Sequence, residues 1–348
     1  MQEITEGQTK LFVPTGKVSK KLPVFYNPVM KLNRDLSILL INSFPMDDMQ
    51  IGLPLAGSGA RGVRLLVESK KGKIRNMHLN DLNPEAIRTI RENLELNHVT
   101  ADVHQKDANE FLIQSSGFDY IDIDPFGTPN PFLDTAVKRL SRCGILAVTA
   151  TDTSALCGTY KNVCRRNYWA EPTRTEVMHE AGLRILIRKV QLIGAQYERA
   201  LTPIFSYAKD HYMRVFFKSK KKKSMVDEII KQHKTVITPS GENAGPLWTG
   251  ALLDSELVQE MSRINRDEKN IKFLETLAQE SKIGTIFFHD IHAIIKREGF
   301  SKNPRKSILI ESIRKAGYRA SETHFAGTAI KTDMPYDEFL RLLSPSSP

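Results

Sequence analysis

The sequence predicts an α/β protein: a mostly parallel sheet with helices, followed by a smaller, mainly helical α+β domain. Three observations carry this. From about residue 50 to 150 a short apolar run, a turn and an amphipathic stretch recur, which is the pattern of parallel βαβ units. At 348 residues and 41% hydrophobic, the chain is long enough for two domains rather than one. After about residue 250 the apolar spacing becomes mainly that of helices. We therefore place one domain at residues 1–250 and a second at 251–348.

The elements follow in order. Residues 1–15 alternate in strand fashion around Glu6-Gly7. The stretch PVFYNPVMKLNRDLSILLINSF, from Pro23, starts extended and turns helical after Pro28, a residue suited to a first helical turn, and Pro45 closes it. Strands are expected at 51–55, 74–79, 101–104, 118–123 and 144–149. Asn83-Pro84-Glu85 and Asn130-Pro131 each offer a cap followed by proline at the first helical position. Gly182, Leu186, Val190, Ile193 and Tyr197 share one stripe of a long helix over 175–200. Residues 203–207 and 212–218 read as an antiparallel pair finishing the sheet. KSKKKKS at 218–224 reads as a solvated loop, since like-charge blocks usually sit at the surface. Beyond GENAGPLWTG, Leu257, Met261 and Ile264 share a helix face, as do Leu309, Ile313 and Ala316 ahead of Gly317.

Composition narrows the class. The longest apolar runs, such as 38–41, fall far short of the about 20 residues a membrane span needs, and the N-terminus lacks the apolar stretch of a signal peptide. The chain reads as intracellular, in the cytoplasm, with no membrane partner. Cys143, Cys157 and Cys164 fit neither a metal knuckle nor a disulfide framework, which suits a reducing compartment. His289 and His292 of HDIH are too few for zinc, so no metal is expected. The net charge of +10 and pI near 9.4 are spread over both halves. They favour a polyanionic partner, nucleic acid first, over a generically basic enzyme. No obligate protein partner is evident, and a monomer is expected.

Ligands in open α/β sheets sit beyond the carboxyl ends of the strands. After the first expected strand of the sheet, Gly57, Gly59 and Gly62 of GSGARG match G-x-G-x-x-G, where glycine lets backbone approach a ligand closely. After the second comes Asp81, 24 residues on from Gly57, placed to accept ribose hydroxyls of NAD or of S-adenosylmethionine. These two signals leave dehydrogenase and methyltransferase both open. After the third, Asp107 could accept an adenine amino group while the Ala108 amide meets a ring nitrogen, although Asp is also favoured as a helix cap.

The fourth strand ends in IDIDPFGTP. Residues two apart on a strand face the same way, so Asp122 and Asp124 point together, with Asp124 nearer the crevice and Asp122 a possible structural acid. A carboxylate beside Pro125 and an aromatic Phe126 suits methylation of an exocyclic amine on a nucleobase. Such a nitrogen is a poor nucleophile and must loosen a proton as it attacks. Orientation is worth roughly 7–11 kcal/mol and a positioned base roughly 10²–10⁴ in rate. Stacking at about 1–3 kcal/mol per base offsets much of the cost of extracting the base. A nicotinamide dehydrogenase and a basic RNA-binding module with a decayed centre are the competing classes.

With these residues assembled, the chain resembles the tRNA guanine-26 N2-dimethyltransferase family over nearly its whole length. The resemblance is carried by VFYNPVMKLNRDLS, GSGARGVR, LND, DAN, IDIDPFGTP, GILAVTATDTSALCG, KDHYMRVF, GPLWTG and THFAGTAIKTDMPYDEF. It implies a class I, Rossmann-like methyltransferase domain, S-adenosyl-L-methionine as cofactor, tRNA as partner and a C-terminal domain that grips the tRNA body. It further implies that Arg34, Arg61, Asp81, Asp107 and Ala108 contact the cofactor. Asp124 would engage and deprotonate the guanine N2 through two methylations, with Phe25, Pro125 and Phe126 shaping the base pocket. Two departures stand out: Leu53 replaces an acid usual at the end of the first strand, and TPSGENAGPLW lacks the cysteine cluster that binds zinc in some members.

Overall fold

In a computed structural model that describes residues 1–15, 24–301 and 303–344, the alternating start of the chain pairs as a hairpin, β1 (Gln2–Glu6) with β2 (Thr9–Val13). Gly7 closes it at φ 63°, a conformation glycine adopts without steric cost. Pro23 lies outside the described residues. Asn27 accepts a hydrogen bond from the Val29 amide, and the short turn Pro28–Met30 leads into α1 (Lys31–Ser43).

The βαβ pattern then runs through β3 (Met49–Leu53), α2 (Ala60–Glu68), β4 (Ile74–Asn80), α3 (Pro84–Leu96), β5 (Asp102–His104), α4 (Ala108–Gln114), β6 (Phe118–Ile123), α5 (Asn130–Arg139) and β7 (Leu140–Ala150). β3 pairs in parallel with β4 and β6, β4 with β5, and β6 with β7. Strands buried on both faces read as near-continuous apolar runs. Accordingly Tyr120, Ile121, Ile123, Ile145, Leu146 and Val148 are inaccessible to solvent. Asn83 caps α3 by accepting from the Glu85 amide, with Pro84 at the first position. At α5 the boundary moves by one: Pro129 is the cap and Asn130 is already helical.

Two short helices, α6 (Thr153–Leu156) and α7 (Lys161–Tyr168), precede α8 (Met178–Ala195), which is shorter than expected because Arg199 already opens β8 (Arg199–Lys209). β8 turns at Asp210, φ 50°, into β9 (Tyr212–Lys221). The hairpin completes a seven-stranded sheet in the order β5-β4-β3-β6-β7-β9-β8. KSKKKKS is not a loop: β9 continues through Lys221, and α9 (Lys223–Lys231) starts just beyond. Strand alternation turns Ser219 inward while Lys218 and Lys220 face solvent.

One compact unit is built from the chain up to Ala150 together with Gln191–Thr202 and Arg214–Asp227; the rest of the described chain forms a second. The second unit contains the antiparallel pair β10 (His233–Ile237) and β11 (Asn243–Trp248), then α10 (Ser255–Ile264) and α11 (Glu268–Glu280), capped by Asp254 and Asp267. It continues through β12 (His289–Asp290), α12 (Ile291–Glu298), α13 (Lys306–Lys315), β13 (Ala320–Glu322), β14 (Ala329–Thr332) and α14 (Tyr336–Leu343). The last three strands form an antiparallel sheet, β12-β14-β13, over a core that includes Ile294, Ile313, Ile330 and Phe339.

The buried acids Glu180 and Glu280 of this unit are paired with cations. Glu180 accepts from Arg184 at 2.8 Å and Lys331 at 3.1 Å, and Glu280 from the His324 ring at 2.7 Å. Burial alone would raise the Glu280 carboxyl, but His324 and Lys331 hold it down at about 2. Among the described residues no helix is long and apolar enough to cross a membrane.

Candidate active site

The glycine turn after β3 uses its glycines for different reasons. Gly57 and Gly59 have φ of 56° and 76°, and Gly59 caps α2. A Cβ on Gly57 would lie 3.1 Å from the carbonyl oxygen of Phe25, which accepts a hydrogen bond from the Ser58 amide at 3.2 Å. The turn is thereby docked on the segment that carries Phe25. At Gly62 a Cβ would collide with Leu79 and sit 3.2 Å from Leu53, so α2 lies close on the sheet. Leu53, the departure from the expected acid, is buried beneath this helix.

At the ends of the paired strands β4 and β5 stand two more acids. Asp81 Oδ2 accepts from the Gly57 amide at 2.8 Å and Oδ1 from the Asn83 amide at 3.0 Å, joining the exit of β4 to the glycine turn. Asp107 caps α4, accepting from the Asn109 and Glu110 amides at 2.9 and 3.2 Å, with Ala108 buried behind it. This donor set fits a nucleoside cofactor: Asp81 could hold ribose hydroxyls, and Asp107 with the Ala108 amide could hold an adenine edge.

The end of β6 is an alternation of acids and guanidinium groups. Arg61 of α2 reaches both acids: its Nε is 3.5 Å from Asp122 Oδ2 and its Nη2 pairs with Asp124 Oδ2. Asn33 and Ser37 accept from its Nη1, each at 2.8 Å. On the far side of Asp122 lies Arg214 of β9, wholly buried, donating to Oδ1 at 2.7 Å and Oδ2 at 2.6 Å. The Tyr120 hydroxyl adds a bond to Asp122 at 2.8 Å, and Thr149 accepts from Arg214 at 2.8 Å. Burial would raise Asp122, yet Arg214 and Arg61 hold it below its ordinary value. Burial likewise works against the charge on Arg61, which Asp122 and Asp124 restore. Asp122 is thus the structural member of the pair.

Asp124 sits at the open end, with 23% of its side chain exposed. Arg61 occupies its Oδ2, which leaves Oδ1 for another donor. Past Pro125, Phe126 is 48% exposed and meets Phe25 edge to face, with ring centroids 4.3 Å apart. A carboxylate beside two accessible rings is a setting for a planar group carrying N–H.

Arg34 is placed differently from the other expected residues. It donates to Glu6 at 2.6 and 2.5 Å and to the Asn27 carbonyl at 3.2 Å. Tyr26 and Arg64 also donate to Glu6, at 2.6 and 2.8 Å. Burial would raise Glu6, but Arg34 above all holds it at about 2. The guanidinium of Arg34 therefore fastens the β1–β2 hairpin to α1. Sequence reasoning passed over Glu6, Asn33, Ser37 and Arg214. Arg214 did carry a signal: a charge inside the apolar run YMRVFF must find a partner when buried.

A glycine turn and carboxylates at the ends of adjacent parallel strands, with an aromatic-flanked acid at the next, define a Rossmann-like methyltransferase. The sequence model of the N2,N2-dimethylguanosine tRNA methyltransferase family matches residues 3–241 and 238–344, and the chain belongs to that family. It is 37% identical to the tRNA (guanine(26)-N(2))-dimethyltransferase of Methanobrevibacter smithii, over 100% of this chain and 99% of that one. The tRNA (guanine(26)-N(2)/guanine(27)-N(2))-dimethyltransferase of Aquifex aeolicus is 34% identical over 98% and 95%. Among solved structures, Trm1 from Pyrococcus horikoshii in complex with S-adenosyl-L-methionine superposes with a TM-score of 0.89 at 33% identity, covering 99% of this chain and 100% of that one. The chain is an S-adenosyl-L-methionine-dependent methyltransferase.

Proposed function

We propose that the protein dimethylates the exocyclic N2 of guanosine 26 in tRNA, and that Asp124 orients and deprotonates that amine. The observation that carries the residue assignment is the single juxtaposition of Asp124, held by Arg61 two residues ahead of Phe126, with the paired Phe25 and Phe126 rings and the glycine turn docked on Phe25. The cofactor supplies an electrophilic methyl group on a sulfonium. Phe25 and Phe126 receive the extruded guanine on their faces or edges, which offsets part of the cost of leaving the stack. Asp124 accepts an N2 hydrogen at Oδ1, while the carbonyl at the Pro125 turn accepts the other. Held this way, the nitrogen lone pair is turned out of the ring plane toward the cofactor end of the sheet. As N2 takes the methyl group, Asp124 accepts the departing proton and passes it to solvent; for the second transfer the one remaining N–H must face the carboxylate again. Arg61 and, behind it, Asp122 keep the carboxylate from rotating away.

Asp81, Asp107 and Ala108 bind the nucleoside of the cofactor in this reading; for Arg61 of α2 to join them it must share its guanidinium with Asp124. For Arg34 to join them it must leave Glu6. Residues 1–250 form the methyl-transfer domain and 251–348 grip the tRNA. In this reading the protein acts as a monomer, and the free cysteines suit the cytoplasm.

Methyl transfer from labelled cofactor to a tRNA transcript tests the assignment. Asp124→Asn keeps the size and should lower kcat about 10²–10⁴-fold, with calorimetric binding of S-adenosylhomocysteine and filter binding of tRNA preserved. Turnover at the wild-type rate would remove Asp124 from the reaction.

A further inference from the structure

At the other end of the sheet, where β6 and β7 begin, a cleft of about 400 Å³ opens beside Phe118 and Leu140. Phe118 and Asp124 are six residues apart on one extended chain, so the cleft lies about 20 Å from the base pocket. Five cationic side chains line it: Arg75, Lys138, Arg139, Arg142 and Arg199. Asp119 is the one acid among the lining residues, and its carboxylate accepts from the Gln50 amide at 3.0 Å. Arg75 is paired with Asp48 at 3.3 Å and Lys138 with Asp134 at 2.8 Å.

The other three arginines are not neutralised. Among the described residues Arg139, Arg142 and Arg199 have no carboxylate at ion-pair distance. Arg199 donates only to neutral oxygens, the Ser141 carbonyl at 3.1 Å and the Ser219 hydroxyl at 3.4 Å. Burial and then the charge of Arg142 push the Arg199 guanidinium below its ordinary value. Arg139 gives one N–H to the Ile113 carbonyl, while its Nε is buried without a partner. Like charges gathered around a polar cleft repel, and a buried N–H without an acceptor is destabilising. An anion in the cleft relieves both. Guanidinium groups match phosphate oxygens two at a time, and exposed Lys220 and Lys221 at the end of β9 extend the positive surface from the same edge.

We propose that this cleft is a phosphate-binding site, built from Arg139, Arg142 and Arg199, and that it takes a backbone phosphate of RNA remote from the methylated base. The same chemistry would accept a free phosphate or nucleotide, so the test separates the two sources. Filter binding of a tRNA transcript is measured against salt concentration for wild type, Arg142→Gln and the triple variant Arg139→Gln/Arg142→Gln/Arg199→Gln. The Arg142 side chain is exposed and makes no hydrogen bond or ion pair among the described residues, so its replacement leaves the fold intact.

Each lost phosphate contact should lower the slope of log K against log salt by about 0.7–0.9, with tRNA affinity falling in step and S-adenosylhomocysteine binding unchanged. Phosphorus NMR with inorganic phosphate reads the second source: line broadening in wild type that vanishes in the triple variant, with an unaltered tRNA slope, assigns the site to a free anion. If neither the tRNA slope nor the phosphate signal differs between wild type and the variants, the site does not exist. Because Asp124 takes no part, a failed result here leaves the methyl-transfer assignment untouched.

Discussion

Replacing Arg214 by methionine tests how the acids of β6 are held. The wild-type side chain is inaccessible to solvent and donates to both oxygens of Asp122, to Thr149 at 2.8 Å and to the Ser37 and Tyr120 hydroxyls at 3.3 and 3.4 Å. Methionine fills much of the volume but leaves Asp122 with Tyr120 and the 3.5 Å contact of Arg61. Stranding one partner of a buried pair costs about 3–5 kcal/mol, or roughly 10²–10⁴ in the folding equilibrium of the unit.

Replacing both partners, Arg214→Met with Asp122→Leu, removes the stranded charge and should recover most of that loss, since buried pairs exchanged for packed apolar groups are often neutral. Hydrogen exchange of the β6 and β7 amides in urea reads this unit apart from the other. The single variant should also lose about 10²-fold in kcat, because Arg61 drawn toward Asp122 shifts Asp124. A single variant within about 1 kcal/mol of wild type, or a double variant as damaged as the two singles summed, would refute the reasoning.

Phe126→Ala removes one ring of the pocket; at about 1–3 kcal/mol per stacked base kcat/KM for tRNA should fall roughly 5- to 150-fold while cofactor affinity holds, and unchanged kinetics would exclude stacking there. The Glu280 carboxyl is held at about 2 against an ordinary 4.5. Its contribution, on the order of 3 kcal/mol, is complete above pH 4.5 and is lost as pH falls through about 2. Glu280→Gln should flatten the acid limb of the stability curve; a curve parallel to wild type over that range would show that the pairing with His324 carries no linkage.

Much of the sheet was legible because its signals are local. The apolar run of β6 and the Asn83-Pro84 cap depend on neighbours within a few residues, and both stand where expected. The errors fall where local rules compete. A lysine run reads as loop by charge, yet β9 passes through it because alternate side chains reach solvent while Ser219 packs inward. An apolar stripe predicts a long helix to 200, but the chain enters β8 at Arg199 to complete the sheet.

By itself the sequence determined which strand ends carry chemistry, since Gly57, Asp81, Asp107 and Asp124 each follow an apolar run that must become a strand. It also determined that an aromatic side chain accompanies the last of them. Only the tertiary structure decided what each charge is spent on: Arg34 on Glu6, Arg61 on Asp124, Arg214 on Asp122 across 92 residues of chain. The reason is physical. A backbone pattern is set by steric and solvation preferences of adjacent residues, whereas a buried charge takes whichever opposite charge the finished packing brings within a few ångströms, and no spacing along the chain encodes that distance.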